Sequence, residues 1–227
     1  MAQPYFDAIH PTRRAGVRRI EPSESVPASR RLWALDWRLE LPWDLGAGWA
    51  EHASMEEVLA FVQQHYAAVF GASEVAGRFL PSPMTEAKRR FFAEMDFFAF
   101  RVEDQTAGVF MAHPSDWSTY YLRSTAILPQ YRERRLVTRF FEKLVEPLRA
   151  AGVERIETET SPANTPIVRM LSGQGYMVTG SCSSERWGQL LRYTKFLNDD
   201  AQAVFMRQYT AMTFNKRRDS DDTETQR

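Results

Sequence analysis

The chain has 227 residues, 44% of them hydrophobic, enough for one substantial core and too few for two full ones. Its 29 basic and 29 acidic side chains cancel, so no global field draws it to nucleic acid or to an anionic membrane. A single cysteine, Cys182, excludes an internal disulfide, one Cys with four scattered His gives no metal-ligand spacing, and no apolar run approaches the roughly 18 residues that span a bilayer.

Residues 1–31 mix Pro, Ser, Arg and Glu without a sustained period and read as an irregular N-terminal arm. Residues 1–11 lack the basic-then-apolar pattern of a signal peptide, and with one unpaired cysteine the expected setting is the reducing cytoplasm. A domain is expected over 32–214. Residues 32–41 alternate from Leu35 onward, which predicts a first strand closed by Pro42. From Met55 the apolar residues Val58, Leu59, Phe61, Val62, Tyr66 and Val69 recur at three and four, with Ser54 as N-cap and Glu57 as its capping-box partner. A second helix is predicted over 85–95, with Ala87, Phe91 and Phe92 on one side.

Three aromatic and aliphatic segments follow, 97–102, 108–112 and 120–128, joined by short polar connections that predict an antiparallel meander. Residues 135–150 repeat Leu136, Phe140, Phe141, Leu144, Val145 and Leu148 at helical spacing, and Gly152 stops the helix. A short strand over 155–160, a short helix over 165–172 and a strand pair over 176–182 and 190–196 complete the order. Residues 215–227 are polar and charged and read as a disordered tail.

The strand ending Ile127-Leu128-Pro129 runs through Gln130-Tyr131-Arg132-Glu133-Arg134-Arg135-Leu136-Val137 into a helix. The free N–H groups and dipole of that helix start can hold a pyrophosphate, and Arg132, Arg134 and Arg135 place three cations beside it. The alternative is a solvated basic helix start. Downstream, Thr158-Glu159-Thr160-Ser161-Pro162-Ala163-Asn164 leads into a short helix that ends at Gly173-Gln174-Gly175-Tyr176. In this pair of segments the sequence resembles the GNAT superfamily of N-acyltransferases. Its coenzyme A loop reads Arg or Gln, two residues, Gly, one residue, Gly or Ala, and its later segment carries an Asn before a short helix and a Gly-Phe or Gly-Tyr. Arg132 matches the first loop position, whereas Arg135 and Val137 stand where the family has small residues.

The resemblance spans roughly 97–196 and implies an α/β fold with a central mixed, twisted sheet of about seven strands flanked by helices. It implies acetyl-CoA or another acyl-CoA as co-substrate, with Ile127, Leu128, Arg132, Glu133, Arg134, Arg135, Leu136 and Val137 around the pyrophosphate and Asn164 on the pantetheine arm. Asn164 also reads as the N-cap of the helix that follows it. No metal is implied.

The family's usual acid–base pair is absent, since its Glu position falls on Tyr121 and its Tyr position on Leu171. Glu159, at the end of the strand that splays from the donor strand in this family, is the preferred general base, beside the alternative of an unused surface carboxylate, and Tyr121 is expected to donate or orient. Arg123, Thr125 and Glu157 share the neighbourhood, and Trp117 with Tyr120 and Tyr121 are candidates for an acceptor pocket. His113, between two strands and before a proline, is expected to face solvent. Cys182 is assigned no role.

The function expected is N-acyl transfer from acyl-CoA to an amine of a small molecule, peptide or protein. Two alternatives stand beside it: a donor carried on an acyl carrier protein or bearing a long acyl chain, and a non-catalytic binding module of the same fold. A homodimer is left open.

Overall fold

The computed structural model describes residues 33, 35–70, 85–184 and 187–209. The arm at 1–31 and the tail at 215–227 lie outside them. Where the alternation over 32–41 predicted a strand, the chain makes one helical turn instead, α1 (Trp37–Glu40), closed by the Leu41 N–H on the Trp37 carbonyl at 3.1 Å. The reason lies in Trp37: it is 2% exposed and its ring meets those of Trp43, Phe98 and Tyr120, so packing on a sheet face, not pairing at its edge, fixes this segment.

Two short strands follow, β1 (Trp43–Asp44) and β2 (Trp49–His52). Helix α2 (Met55–Phe70) starts at the predicted N-cap, with the Glu57 N–H on Ser54 Oγ at 3.1 Å, but the Glu57 carboxylate, expected to close a capping box, pairs instead with Arg101 at 2.6 Å. Helix α3 (Glu86–Ala93) is capped by Thr85, whose Oγ1 accepts from the Lys88 N–H at 3.3 Å. The predicted meander is β3 (Asp96–Val102), β4 (Gln105–Pro114) and β5 (Thr119–Ile127). A 3-10 turn (Pro129–Tyr131) leads to α4 (Leu136–Ala150), which ends before Gly152 at φ 86°, a left-handed stop that glycine takes without steric cost. Then come β6 (Arg155–Thr160), α5 (Thr165–Gly173), β7 (Met177–Ser184) and β8 (Gly188–Phe196). Residues 199–209 form a further helix, α6, whose Phe205 packs on Phe196; the sequence pattern had not marked it.

Among the described residues the sheet has eight strands, not about seven, in the order β1-β2-β3-β4-β5-β6-β8-β7. Only β5 and β6 run parallel. The alternation of β3 and β4 sends side chains to two cores. On one face Phe98, Phe100, Phe110 and Tyr120 meet α4, where Phe140 is fully buried among the rings of Trp43, Phe98, Phe100, Phe110 and Phe141. On the other, Phe97, Ala99, Val109 and Ala126 pack with Val58 and Phe61 of α2.

The site depends on one irregularity. Met111 pairs with Ser124 and Ala112 with Leu122, so Arg123 is an extra residue bulged out of β5. A bulge bends its strand and sharpens its twist. One residue earlier, at Leu122 opposite Thr158, the parallel ladder with β6 ends, although β5 continues to Ile127 and β6 to Thr160. The two strands therefore fork before either ends, at Ile127 and Thr160.

Candidate active site

At the root of the fork, Thr158 Oγ1 donates to the Leu122 carbonyl at 3.0 Å, satisfying by side chain what the ladder no longer does. Beyond it, among the described residues, β5 pairs with β4 alone as far as Ile127. On the face that α2 covers, the register sets His113 opposite Tyr121, Tyr121 beside Glu157, Glu157 opposite Thr194 and Glu159 opposite Arg192. This is a polar patch built from four strands.

Its centre joins the two acid–base candidates. The Tyr121 hydroxyl donates to Glu159 Oε2 at 3.4 Å, while Arg192 Nε and Nη2 donate to Glu159 Oε1 at 3.1 and 2.7 Å. Glu157 shares the same arginine, its Oε2 lying 3.9 Å from Arg192 Nε, while its Oε1 is 3.4 Å from Arg155 Nε and accepts from Thr194 Oγ1 at 3.5 Å. Burial first, then the adjacent Glu159 charge and hydrogen bond, push the Tyr121 hydroxyl up to about 12. The phenol thus stays protonated at neutral pH and serves as a donor. Burial and the Glu159 carboxylate likewise raise the Cys182 thiol, which suits a group with no nucleophilic part.

Arg123, put forward by the bulge, is exposed and holds its guanidinium 5.7 Å from the centroid of the Phe91 ring. Its position as a bulge residue has no sequence signal. His113 departs from expectation: it lies within β4, half-buried, with its ring 5.5 Å from that of Tyr121 and 5.9 Å from that of Phe91. The proline that suggested a loop is the last residue of the strand, where a missing N–H is tolerated.

The end of the sheet reached by β5 and β6 together carries the other half of the site. Arg135 occupies the N-cap of α4 at φ 60°, ψ 19°, and Glu133 has φ 66°. Arg135 thus keeps the left-handed backbone for which glycine is the ordinary choice, at a cost of about 1–2 kcal/mol. It makes no side-chain capping hydrogen bond, and the first intrahelical bond runs from the Arg139 N–H to the Arg135 carbonyl at 3.0 Å, so the N–H groups ahead of Arg139 have no partner within the helix. Arg134 lies over the Tyr131 ring at 5.2 Å. Arg132 is already engaged, donating from Nε to the Ile127 carbonyl at 3.3 Å and from Nη2 to the Val69 carbonyl at 3.0 Å.

The other residues expected at a donor site divide by burial. Leu128 and Leu136 are core side chains, 8% and 2% exposed, so any ligand there meets backbone, while Ile127 and Val137 are half-buried. Asn164 is exposed at the N-cap position of α5, at the same end of the sheet, and its side chain makes no capping bond.

A family model described as the acetyltransferase (GNAT) family matches residues 57–176, from α2 to the end of the α5–β7 connection. No curated protein matches the chain. Among solved structures, an N-acetyltransferase from Staphylococcus aureus Mu50 is 14% identical, covering 66% of this chain and 98% of its own, with a TM-score of 0.51. A GNAT-family acetyltransferase from Streptococcus pneumoniae is 14% identical over 65% of this chain and 97% of its own, with a TM-score of 0.50. At these identities the likeness speaks to the fold.

Proposed function

The chain belongs to the GNAT acetyltransferase family, and from that premise we propose that it transfers an acyl group from acyl-CoA to a primary amine at the β5–β6 fork. The observation that carries this reading is the fork itself, opening after Leu122 and Thr158 toward a helix start without a side-chain cap. The fork suits an extended pantetheine arm, since backbone polar groups of β5 past Leu122 have lost their β6 ladder. Asn164 is free to meet that arm's amides. The N–H groups at the start of α4, with the Arg135 and Arg134 cations, suit the pyrophosphate.

Chemistry is then positioning and charge. The acceptor enters over the polar patch, and the thioester lies along β5. Tyr121 serves as a hydrogen-bond donor and not as the thiolate's proton source, because a phenol near 12 would give its proton to an ordinary thiolate, of pKa about 8.5, only against more than three powers of ten. Glu159 holds the phenol and Arg192 in place. Among the described residues no helix is long and apolar enough to cross a membrane.

A second reading, a donor on an acyl carrier protein, is favoured by one observation: Arg135 and Val137 fill the two positions that are small in the family's loop. The experiment that tests both is calorimetry with acetyl-CoA and longer acyl-CoAs, followed by a thiol-release assay against primary amines and peptide N-termini. Micromolar acyl-CoA binding with amine-dependent thiol release supports the first reading. No acyl-CoA binding, with transfer from an acyl carrier protein, supports the second.

A further inference from the structure

In the transferase reading Glu159 is a poor receiver for the acceptor's proton, because one of its oxygens is ion-paired with Arg192 and the other accepts from Tyr121. His113 is the group on the same face whose hydrogen bonding is incomplete. Its Nδ1 lies 2.8 Å from the Pro114 carbonyl. A carbonyl only accepts, so this contact requires the proton on Nδ1, and the neutral ring then keeps its lone pair on Nε2. That Nε2 is buried and has no partner among the described residues. A buried side-chain nitrogen in this condition is uncommon in folded proteins and asks for an occupant.

The surroundings say where the occupant comes from. His113 stands directly across the β4–β5 ladder from Tyr121, which lies two residues before the Arg123 bulge and one before the last β5–β6 pair, so His113 borders the fork. Phe91 of α3, 49% exposed, packs against the imidazole, and Arg123 lies over that same ring. The titratable and charged groups around it are Tyr121 itself, Glu159 beyond the Tyr121 hydroxyl, and Arg123 across the Phe91 ring; α3 contributes the apolar ring of Phe91. No carboxylate pairs with His113 among the described residues.

We propose that His113 is the general base of this enzyme, receiving through Nε2 the proton that the acceptor amine sheds as it attacks. This rests on the transferase reading and assigns a residue to it. The amine lone pair forms a bond to the thioester carbonyl carbon, the N–H proton passes to Nε2, and the C–S bond breaks with its electron pair going to sulfur. The thiolate takes a proton from solvent and the imidazolium returns one. Over the cycle one proton moves from amine to thiol.

His113→Asn separates this role from packing, because the asparagine amide can still donate to the Pro114 carbonyl while nothing remains at the Nε2 position. With acetyl-CoA and a panel of primary amines headed by 2-phenylethylamine, the variant should bind acetyl-CoA as wild type does. It should lose about 100-fold in kcat and lack the acidic limb of the kcat/KM profile. Wild-type kcat and an intact acidic limb in His113→Asn would overturn the proposal. Nitrogen NMR of the unmodified protein gives an answer independent of turnover and of any variant's folding: the expected tautomer has the proton on Nδ1, and a neutral ring protonated on Nε2 overturns the assignment even if the enzyme is active. If the wild type binds acetyl-CoA but acylates no amine, the transferase reading falls and this assignment falls with it.

Discussion

The Tyr121 hydroxyl and Glu159 Oε2 lie 3.4 Å apart, with Arg192 closed on the other carboxylate oxygen at 2.7 Å. A carboxylate so engaged holds its neighbours in place and is a poor receiver for a substrate proton. Glu159→Gln should therefore lower kcat by less than 10-fold and leave the acidic limb of the pH profile intact, since the amide oxygen can still accept from Tyr121. The sequence-derived role as base demands a loss of about 100-fold or more and a vanished limb. Steady-state kinetics across pH 5–9 (on the order of eight points, to resolve each limb) separates the two.

Arg135 at φ 60° gives a stability prediction. The left-handed backbone costs a residue with a Cβ about 1–2 kcal/mol, and glycine returns about 0.5–1 kcal/mol of that as extra chain entropy lost on folding. Arg135→Gly should thus stabilise the fold by about 0.5–1 kcal/mol, a rise of a few degrees in Tm. Scanning calorimetry checks it. An unchanged or lower Tm would mean that the arginine side chain contributes packing that offsets its backbone.

Much of this architecture was legible because periodicity and local chemistry agreed. Leu136, Phe140, Phe141, Leu144 and Leu148 recur at helical spacing and all are buried on α4, and Ser54 caps α2 as its hydroxyl should. What was not legible depends on distant partners. The alternation around Trp37 fits one helical turn as well as a strand, and only the rings of Phe98 and Tyr120 decide between them. The sparse apolar residues of α6 gave too little signal, since Val204, Met206 and Tyr209 remain exposed. At the site, the sequence points to Glu159 and Tyr121, but Arg192 reaches Glu159 through a β6–β8 pairing of residues 33 positions apart, which no local pattern encodes. The Arg123 bulge and the unpaired Nε2 of His113 are likewise products of register.

Asp116 gives a pH prediction. In the β4–β5 connection it accepts from the Ser118 N–H at 2.7 Å and the Ser118 hydroxyl at 2.9 Å, and it pairs with Arg155 of β6 at 3.2 Å. Burial alone would raise its carboxyl, but the hydrogen bonds of Ser118 and Thr119 and the charge of Arg155 outweigh that and bring it to about 2. Its folded value lies below the unfolded value of about 3.9, so its stabilisation is present above that value and is lost as pH falls toward 2. The carboxylate is partly solvent-exposed, which keeps the effect modest. Urea unfolding should show Asp116→Asn less stable than wild type near neutrality, with the gap closing in acid. A gap that persists to about pH 2 would place the effect in geometry and not in charge.

Arg132 and Arg135, both expected from the sequence to meet phosphate, should behave differently. Arg132 already bridges the end of α2 to the end of β5 through the carbonyls of Val69 and Ile127, whereas Arg135 makes no side-chain cap and stands at the start of α4. Arg132→Ala should lower unfolding stability by about 1 kcal/mol, because two exposed carbonyls exchange a charged donor for water. Its effect on acetyl-CoA binding should stay within about threefold, under 1 kcal/mol by the usual conversion. Arg135→Ala keeps the backbone N–H groups and the left-handed geometry but removes a cation, so it should weaken acetyl-CoA binding by about 1 kcal/mol or more and flatten the salt dependence. The double variant should lose about 1–3 kcal/mol, most of it traceable to Arg135 by the double-mutant cycle. Calorimetric titrations at low and high salt supply all four corners. If Arg132→Ala alone accounts for the loss, Arg132 leaves its two carbonyls for the phosphates when the donor binds, and the bridge between α2 and β5 is a feature of the empty enzyme.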